Sequence, residues 1–391
     1  MSDAEVTRAG LRNERPGSHA LFGNGMPGGP GAPADGAPAD GERSYGADAF
    51  STGTGTDTGT DSGSGTGERR AAGGRRSRGG PGPGDGETFT SYYGRPVLKA
   101  PHWAATDIAG YLFLGGLAGA GSVLAAGAEL TGRRATARAM KLSSLGAVSL
   151  SVVALVHDLG RPARFLNMLR VIKPTSPMSI GSWLLVGYGP LAGVAAVTDT
   201  TGLFPRTGRA ATCGAAVFGP AVAAYTGVLF ADTAVPAWHE GHRELPYLFT
   251  GSAAAAAAGM ALLAAPARES GPARRAAVLG TAAEFAAMRA LHRRSGPVDE
   301  TYRRGKAGRL LRAASVLGAA GAAGAAGLAG RGRAAAALSG AALLAASACT
   351  RFGLFHAGLA SVRDPKYTVE PQRARLAAAE ADAAAEAAET P

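Results

Sequence analysis

The chain has 391 residues, a formal net charge of +11 and a mean hydropathy of +0.05. Its two cysteines, Cys213 and Cys349, are too few for an iron–sulfur cluster held by four thiolates or for a disulfide framework. Most of its arginines border apolar segments or lie near the N-terminus, a placement typical of membrane-flanking residues rather than of a nucleic-acid-binding surface.

Residues 1–88 are rich in Gly, Pro, Ser, Thr, Asp and Arg and contain almost no large apolar side chains. Such a segment buries too little apolar surface to offset the entropy lost on ordering, so we expect a disordered N-terminal tail. No apolar run follows Met1, and we therefore expect no cleavable signal peptide.

After the tail, the chain alternates between apolar stretches and short charged clusters. A bilayer core of roughly 30 Å requires about 20 helical residues. Eight stretches are candidates, at residues 106–128, 140–157, 180–199, 210–231, 247–266, 273–291, 309–330 and 334–356. The pattern predicts an all-α, multi-pass protein of the cell membrane with about eight transmembrane helices over residues 89–370, followed by an Ala/Glu-rich C-terminal tail (371–391).

The sixth stretch is the weakest of the eight, because it contains Glu284 and Arg289. Charges inside a membrane are costly and usually face protein or water. We expect either a structural ion pair with another helix or a proton path there, and loss of this span would invert the topology of everything after it. Between the second and third spans, residues 161–173 carry an apolar stripe at helical spacing, which predicts a short helix lying in the membrane interface.

Eight spans would place every histidine outside the tail on one side of the membrane, here named the histidine face: His102, His157, His239, His242, His292 and His356. Ionisable groups concentrated at one membrane boundary indicate a binding site or docking surface, although the loops of any membrane protein are polar. The opposite side, the far face, has short connections rich in Arg and Lys. This gives only a weak preference for a cytoplasmic far face, and orientation stays open.

The distribution of histidines also bears on metals. Without a histidine on the far face, haems cannot be stacked across the membrane between axial imidazoles, and we expect no haem. His239 and His242 have the spacing of a zinc-binding pair but lack a helical frame and further ligands, so we expect no metal site.

A quinone site requires an apolar slot, hydrogen-bond donors for the carbonyls and a proton acceptor for the hydroxyl. Asp107, at the start of the first span, is a candidate base. Tyr225, in the fourth span, and His102 are candidate donors. Taken singly, these residues are explained equally well as a helix cap, an aromatic residue of the membrane interface and an interfacial polar residue.

Several segments resemble the NrfD/PsrC family, the membrane anchor subunits of polysulfide reductase type. These are SYYGRPVLKAPHW with DIAGYLFLGGLAGAGS, HDLGRPARFLNML, YTGVLFADTAVPAWH with LPYLFTGSA, and FHAGLASVRDPKYT near the C-terminus. They occur in the family's order and span about residues 89–370. The long N-terminal tail departs from the compact family pattern.

The resemblance implies two four-helix bundles and a subunit of an oxidoreductase complex that has no catalytic activity alone. It implies exchange of electrons between the membrane quinone pool, such as menaquinone in anaerobic respiration, and a ferredoxin-like iron–sulfur partner joined to a molybdopterin catalytic subunit. This chain would hold no haem or iron–sulfur cluster. The implied quinone site maps onto His102, Asp107 and Tyr225. Six further residues would shape the site or dock the partner: His157, Asp158, Arg161, Arg164, Trp238 and His239.

Two other classes of function stay open. A proton or solute transporter would place polar residues in the middle of the membrane, which only Glu284 and Arg289 approach. A purely structural anchor would hold a soluble enzyme at the membrane without quinone chemistry. The partner's substrate and the direction of electron flow are not specified by the sequence.

Overall fold

The computed structural model describes residues 97–101, 103–159 and 167–389. Within these residues the chain is α-helical, and eight long helices follow one another. They are α1 (Ala105–Leu130), α2 (Arg134–Asp158), α3 (Pro177–Thr201), α4 (Pro205–Ala231), α5 (Leu245–Ala264), α6 (Gly271–Arg294), α7 (Gly305–Gly327) and α8 (Arg333–Arg363). A ninth long helix, α9, spans Lys366–Glu389.

Proline and glycine set several helix boundaries. Helices α3 to α6 each carry a proline in one of their first two positions, where the missing N–H would have no helical partner in any case. Helix α3 ends at Gly202, which has a φ of 73° that a side chain would disfavour. Helices of 20 residues or more that follow one another along the chain and pack side by side run antiparallel.

The long helices form two four-helix bundles. In the first bundle α1 packs on α2 and α4, while α3 packs on α2 and α4. In the second bundle α5 packs on α6 and α8, while α7 packs on α6 and α8. Helix α5 also contacts α1 and α4, so it is the main junction between the bundles. The expected all-α architecture of two bundles is confirmed.

Among the described residues, seven helices are long and apolar enough to cross a membrane. The helix that falls short is α6, the segment that the sequence marked as weakest. It nevertheless connects the same two faces as its neighbours. Near its start, Arg274 Nε donates to the Ala325 carbonyl at the end of α7 (2.7 Å), and at its end Arg294 Nε lies 3.2 Å from Glu244 Oε1.

Small residues allow the helices to approach closely, as is common in membrane bundles. Where α1 crosses α4, a Cβ added to Gly119 or to Gly219 would overlap the carbonyl oxygen of the other glycine. The same relation holds between Gly259 and Gly340, where α5 crosses α8. Each of these two crossings therefore tolerates no side chain.

Of the two predicted tails, only the C-terminal one falls within the described residues. The N-terminal tail (1–88) lies outside the described residues. The Ala/Glu-rich C-terminal segment continues α9, whose side chains are exposed from Gln372 to Ala383. Near its start α9 is tied to the histidine face, because Lys366 Nζ lies 3.0 Å from Glu300 Oε2 and Arg375 pairs with Glu240.

Candidate functional site

The histidine face assembles as the alternation of spans predicts. The ends of α2, α4, α6 and α8 meet the starts of α1, α3, α5 and α7 there, and side-chain contacts cross between both bundles. One example is Trp238, whose ring stacks on Trp103 before α1 and whose Nε1 donates to the Leu354 carbonyl of α8 at 2.8 Å. His102 lies outside the described residues.

Asp107 and His157 form a hydrogen-bonded pair at this end of the first bundle. Asp107 Oδ2 is 2.9 Å from His157 Nδ1, which joins the first turn of α1 to the last turn of α2. The Asp107 side chain is 21 % exposed and the His157 side chain is 78 % exposed. The carboxylate is therefore shielded, whereas the imidazole faces outward, an arrangement suited to passing a proton between a sheltered position and the aqueous boundary.

Asp158, the residue after His157, serves the backbone of α1. Its carboxylate accepts a hydrogen bond from the backbone N–H of Ala104, the residue that precedes α1 and that has no capping side chain of its own. The N-terminus of a helix carries partial positive charge, so a carboxylate from α2 stabilises it there. Asp158 thus fixes the start of α1, and with it Asp107.

Tyr225 is buried on α4 and its ring lies directly against α3. A Cβ added to Gly181 would overlap the phenol ring and hydroxyl of Tyr225, so only glycine leaves room for this aromatic side chain. Tyr225 is also close enough to Tyr111 of α1 for the two phenols to interact electrostatically. Tyr111 is four residues after Asp107 and therefore shares its side of α1. Sequence analysis had not selected Tyr111.

Trp238 belongs to a buried aromatic cluster between the bundles. It is completely buried, and its ring centroid is 4.3 Å from that of Phe230 and 5.9 Å from that of Phe355. A side chain without exposed surface does not itself contact a partner protein. Of the two predicted roles, docking or shaping, its position supports shaping.

The other predicted docking residues lie in two places. His239 is exposed, and its Nδ1 is 3.3 Å from the Ala231 carbonyl, while its ring stacks on that of His242. Arg161 and Arg164 lie outside the described residues. Within the described part of the chain, no group of three His, Cys, Asp or Glu side chains is placed to hold a metal ion.

Glu284 and Arg289 are on different sides of α6. Five positions along a helix correspond to a rotation of about 140°, and Glu284 is buried whereas Arg289 is exposed. Glu284 instead faces α8, where Thr350 Oγ1 donates to Glu284 Oε1 at 2.6 Å and Arg351 is its charged neighbour. The charged neighbour of Glu284 therefore comes from another helix, and it is Arg351, a residue that the sequence had not singled out.

A second missed residue, Lys141, is buried near the far face of the first bundle. Its Nζ lies 2.8 Å from Glu129 Oε2 and 3.0 Å from Asp199 Oδ1, which ties α2 to α1 and α3. Beside it is a cavity of about 10 Å³, lined in part by Ser122 and Ser144. That space matches a single water molecule with polar neighbours. In the sequence Lys141 looks like one more basic residue of a far-face connection.

The family model described as Polysulphide reductase, NrfD matches residues 100–291, which run from just before α1 to the end of α6. Comparison with curated proteins gives no match. The C-terminal segment FHAGLASVRDPKYT lies beyond the matched residues, so its resemblance to the family stays a prediction.

The family match covers about half of the chain and includes the whole first bundle with the Asp107–His157 pair and Tyr225. It agrees with the seven helices suited to crossing a membrane. Together these findings identify the chain as a multi-pass integral membrane protein of the NrfD family.

Proposed function

We propose that this protein is the quinone-handling membrane subunit of an oxidoreductase complex, with its quinone site at the histidine-face end of the first bundle. The observation that carries the proposal is the Asp107–His157 hydrogen bond of 2.9 Å, which lies at the end of a bundle inside the NrfD match. Quinone-interacting subunits are typical of that family. The substrate would be menaquinol or a similar membrane quinol.

Each group has a chemical role in this proposal. The shielded Asp107 carboxylate accepts the proton of the quinol hydroxyl, and the exposed His157 imidazole passes a proton on to water. The Tyr225 phenol donates a hydrogen bond to a quinone carbonyl. Asp158 positions Asp107 by capping α1. His102, placed by the sequence next to this end of α1, is proposed as a further donor.

Electrons leave the quinol for an iron–sulfur partner of ferredoxin type, which a molybdopterin catalytic subunit joins. The partner is proposed to dock on the histidine face, where His157, His239 and Arg243 are exposed. The sequence assigns Arg161 and Arg164 to the same surface. Direct contact with the partner there keeps the electron path short, because the quinone site lies at the same boundary.

The proposed donor role of Tyr225 is tested by quinone binding to the purified protein in lipid nanodiscs. Tyr225→Phe removes one hydrogen bond of about 1 kcal/mol, so binding of a short-chain naphthoquinone should weaken about fivefold. Tyr247→Phe is the matched control, because Tyr247 also lies near the histidine face but is exposed at the start of α5. Equal affinities of both variants and the unmodified protein would contradict this role.

The proposed base is tested in the intact complex by its rate of quinol oxidation. Asp107→Asn keeps the size of the side chain but cannot accept the proton, and the rate should fall by about 10²-fold or more. Asp364→Asn, at the end of α8 on the same face, should leave the rate unchanged. If the complex retains the quinol oxidation rate in Asp107→Asn, the chain is instead a purely structural anchor or uses another base.

A further inference from the structure

Arg351 is completely buried on α8, where the two bundles meet. Its Nη2 donates to the Phe249 carbonyl of α5 at 2.8 Å, and its Cζ lies 3.9 Å above the centre of the Phe249 ring. A Cβ on Gly116 of α1 would be 3.4 Å from Nη2. Among the described residues, neither Nε nor Nη1 has a hydrogen-bond partner. One carbonyl and one aromatic face are its only strong neighbours among these contacts.

An ionised guanidinium in a dry membrane interior is unfavourable unless its N–H groups are satisfied. Arg333 also donates to helix carbonyls, but its carbonyl partners differ from that of Arg351. Arg333 Nη1 donates to the carbonyls of Leu262 (2.9 Å) and Ala265 (2.6 Å) at the end of α5, where helical carbonyls lack partners. Phe249, in contrast, lies within α5 rather than at its end. Among the described residues, two nitrogens of Arg351 also lack a hydrogen-bond acceptor. Water is the ligand that fits unmet buried donors.

Glu284 is the charged group that faces Arg351. Thr350 Oγ1 donates to Glu284 Oε1, and Ser252 of α5 also hydrogen-bonds the carboxyl. Ser252 is in turn 2.9 Å from Ser347 of α8. In the described part of the chain, Glu284 and Arg351 do not form a direct ion pair, yet each is the charged group that acts on the other.

The polar cluster extends along α6 toward the far face. Thr281 lies three residues before Glu284, on the same side of the helix, and its buried hydroxyl has no hydrogen-bond partner in the part of the chain that the structure describes. The Thr281 hydroxyl is thus a second buried polar group near Glu284 that a water molecule could hydrogen-bond. The cluster therefore has unmet polar atoms on two helices, α6 and α8.

We propose that Glu284, Thr350 and Arg351 form a hydrated proton-exchange site inside the second bundle, with water at Arg351 Nε and Nη1 and the exchanged proton on the Glu284 carboxyl. The step is reversible binding of one proton from water to the carboxylate, and no bond other than O–H forms or breaks. This activity is additional to quinone handling at the first bundle. If proton exchange at Glu284 is coupled to quinol oxidation in the first bundle, the complex would move protons while it oxidises quinol.

Every charged side chain named here belongs to α6 or α8. Helix α5 contributes only the Ser252 hydroxyl and the Phe249 carbonyl and ring, and α1 contributes the glycine backbone at Gly116. The Glu284 carboxyl thus has a cation, a hydroxyl donor and, in this proposal, water beside it, and a proton-exchange site requires these groups.

The test is covalent labelling by a membrane-soluble carbodiimide, which reacts with carboxyls that are protonated in apolar surroundings. In the purified full chain, mass spectrometry should find Glu284 labelled, with less labelling as pH rises. Arg351→Gln removes the cation that favours the carboxylate, so labelling should rise several-fold. Arg333→Gln is the matched control and should leave the labelling of Glu284 unchanged. Thermal unfolding of each variant checks that the fold is retained.

Two results would overturn the proposal. Absence of labelling in both the unmodified chain and Arg351→Gln would show a carboxyl that water and proton do not reach. Labelling only in Arg351→Gln would show a static charge pair. Because this assay contains no quinone, its result is independent of the proposed quinone site. In vesicles that contain the intact complex, Glu284→Gln should keep quinol oxidation while acidification falls, and unchanged acidification would exclude a role in proton movement.

Discussion

Among the described residues, each of the two bundles buries one cation between helices, but the two cations have different surroundings. In the first bundle Lys141 is held by two carboxylates, at 2.8 Å from Glu129 and 3.0 Å from Asp199. In the second bundle Arg351 has one carbonyl partner at 2.8 Å, and its nearest carboxylate belongs to Glu284, which is hydrogen-bonded to Thr350 instead.

The difference separates a structural ion cluster from a site prepared for exchange. A buried cation that is fully paired stabilises the helices it joins, and losing it leaves its partners unpaired. A buried cation with unmet donors stabilises little and is retained for another reason. On this comparison the first bundle has an ion cluster near its far face and its proposed quinone site at the histidine face, whereas the second bundle has a polar cluster in its interior.

The largest expected effect is at the central helix crossing of the first bundle. Gly119→Leu would force a side chain into the Gly219 backbone, and α1 and α4 would have to separate. We expect a loss of about 3 kcal/mol or more in the free energy of unfolding, measured by denaturant titration in mild detergent. Gly110→Leu is the control, since a Cβ at Gly110 meets no atom within 4 Å. Equal losses in both variants would mean that the crossing does not limit packing.

The next largest effect is the loss of unfolding free energy when each buried cation is replaced by methionine. Lys141→Met leaves Glu129 and Asp199 without their shared cation and should cost about 2 to 3 kcal/mol, reduced because both carboxylates are partly exposed. Arg351→Met should cost less than about 1 kcal/mol, since it removes a poorly paired charge and Glu284 can bind a proton. The unfolding free energies of both variants give the measurement. A larger loss in Arg351→Met would reverse the comparison.

The smallest effect concerns the contact between the bundles on the far face, where Thr136 of α2 donates two hydrogen bonds to the Glu269 carboxylate. Burial alone would raise the pKa of Glu269, but the backbone N–H and hydroxyl of Thr136, both at 2.9 Å, outweigh it and hold that pKa below its usual range. Because the folded-state pKa is lowered, the stabilisation is complete above the unfolded value of about 4.3 and is lost as pH falls through the folded pKa.

We expect Glu269→Gln to lower the melting temperature slightly at neutral pH, because it weakens the contact with Thr136. The difference from the unmodified protein should vanish in strong acid, where Glu269 is protonated. Thermal unfolding at several pH values measures it. The free energy involved is at most about 1 kcal/mol, as for other partly exposed interactions. A difference that persists at acidic pH would show that the charge of Glu269 does not join the bundles.

The fold was largely predictable because its signal is local. Apolar run length, prolines at helix starts and the alternation of spans place the eight helices and the histidine face without knowledge of contacts. The weakness of α6 was also visible, since its arginines lower the hydropathy of the segment. Its position in the bundle depends on long-range contacts, such as that of Arg274 with α7, which no local pattern encodes.

The candidate sites were predictable only in part, for the same reason. Asp107 and Tyr225 could be selected because each is a polar residue at the end of a span. The partner of Asp107 depends on how α1 and α2 align, and the cation near Glu284 comes from a helix 67 positions further along the chain. Lys141 and Arg351 resemble ordinary flanking residues in sequence, and only packing reveals that both are buried.

The central claim, that quinone binds to the first bundle at the histidine face, is tested most directly by photo-crosslinking. A photoreactive naphthoquinone is bound to the protein in nanodiscs, and mass spectrometry locates the modified peptides with and without excess competing quinone. The account predicts competed crosslinks in the first turns of α1, around Asp107 and Tyr111, and in the last turns of α4, around Tyr225. Competed crosslinks confined to α5–α8 would contradict it.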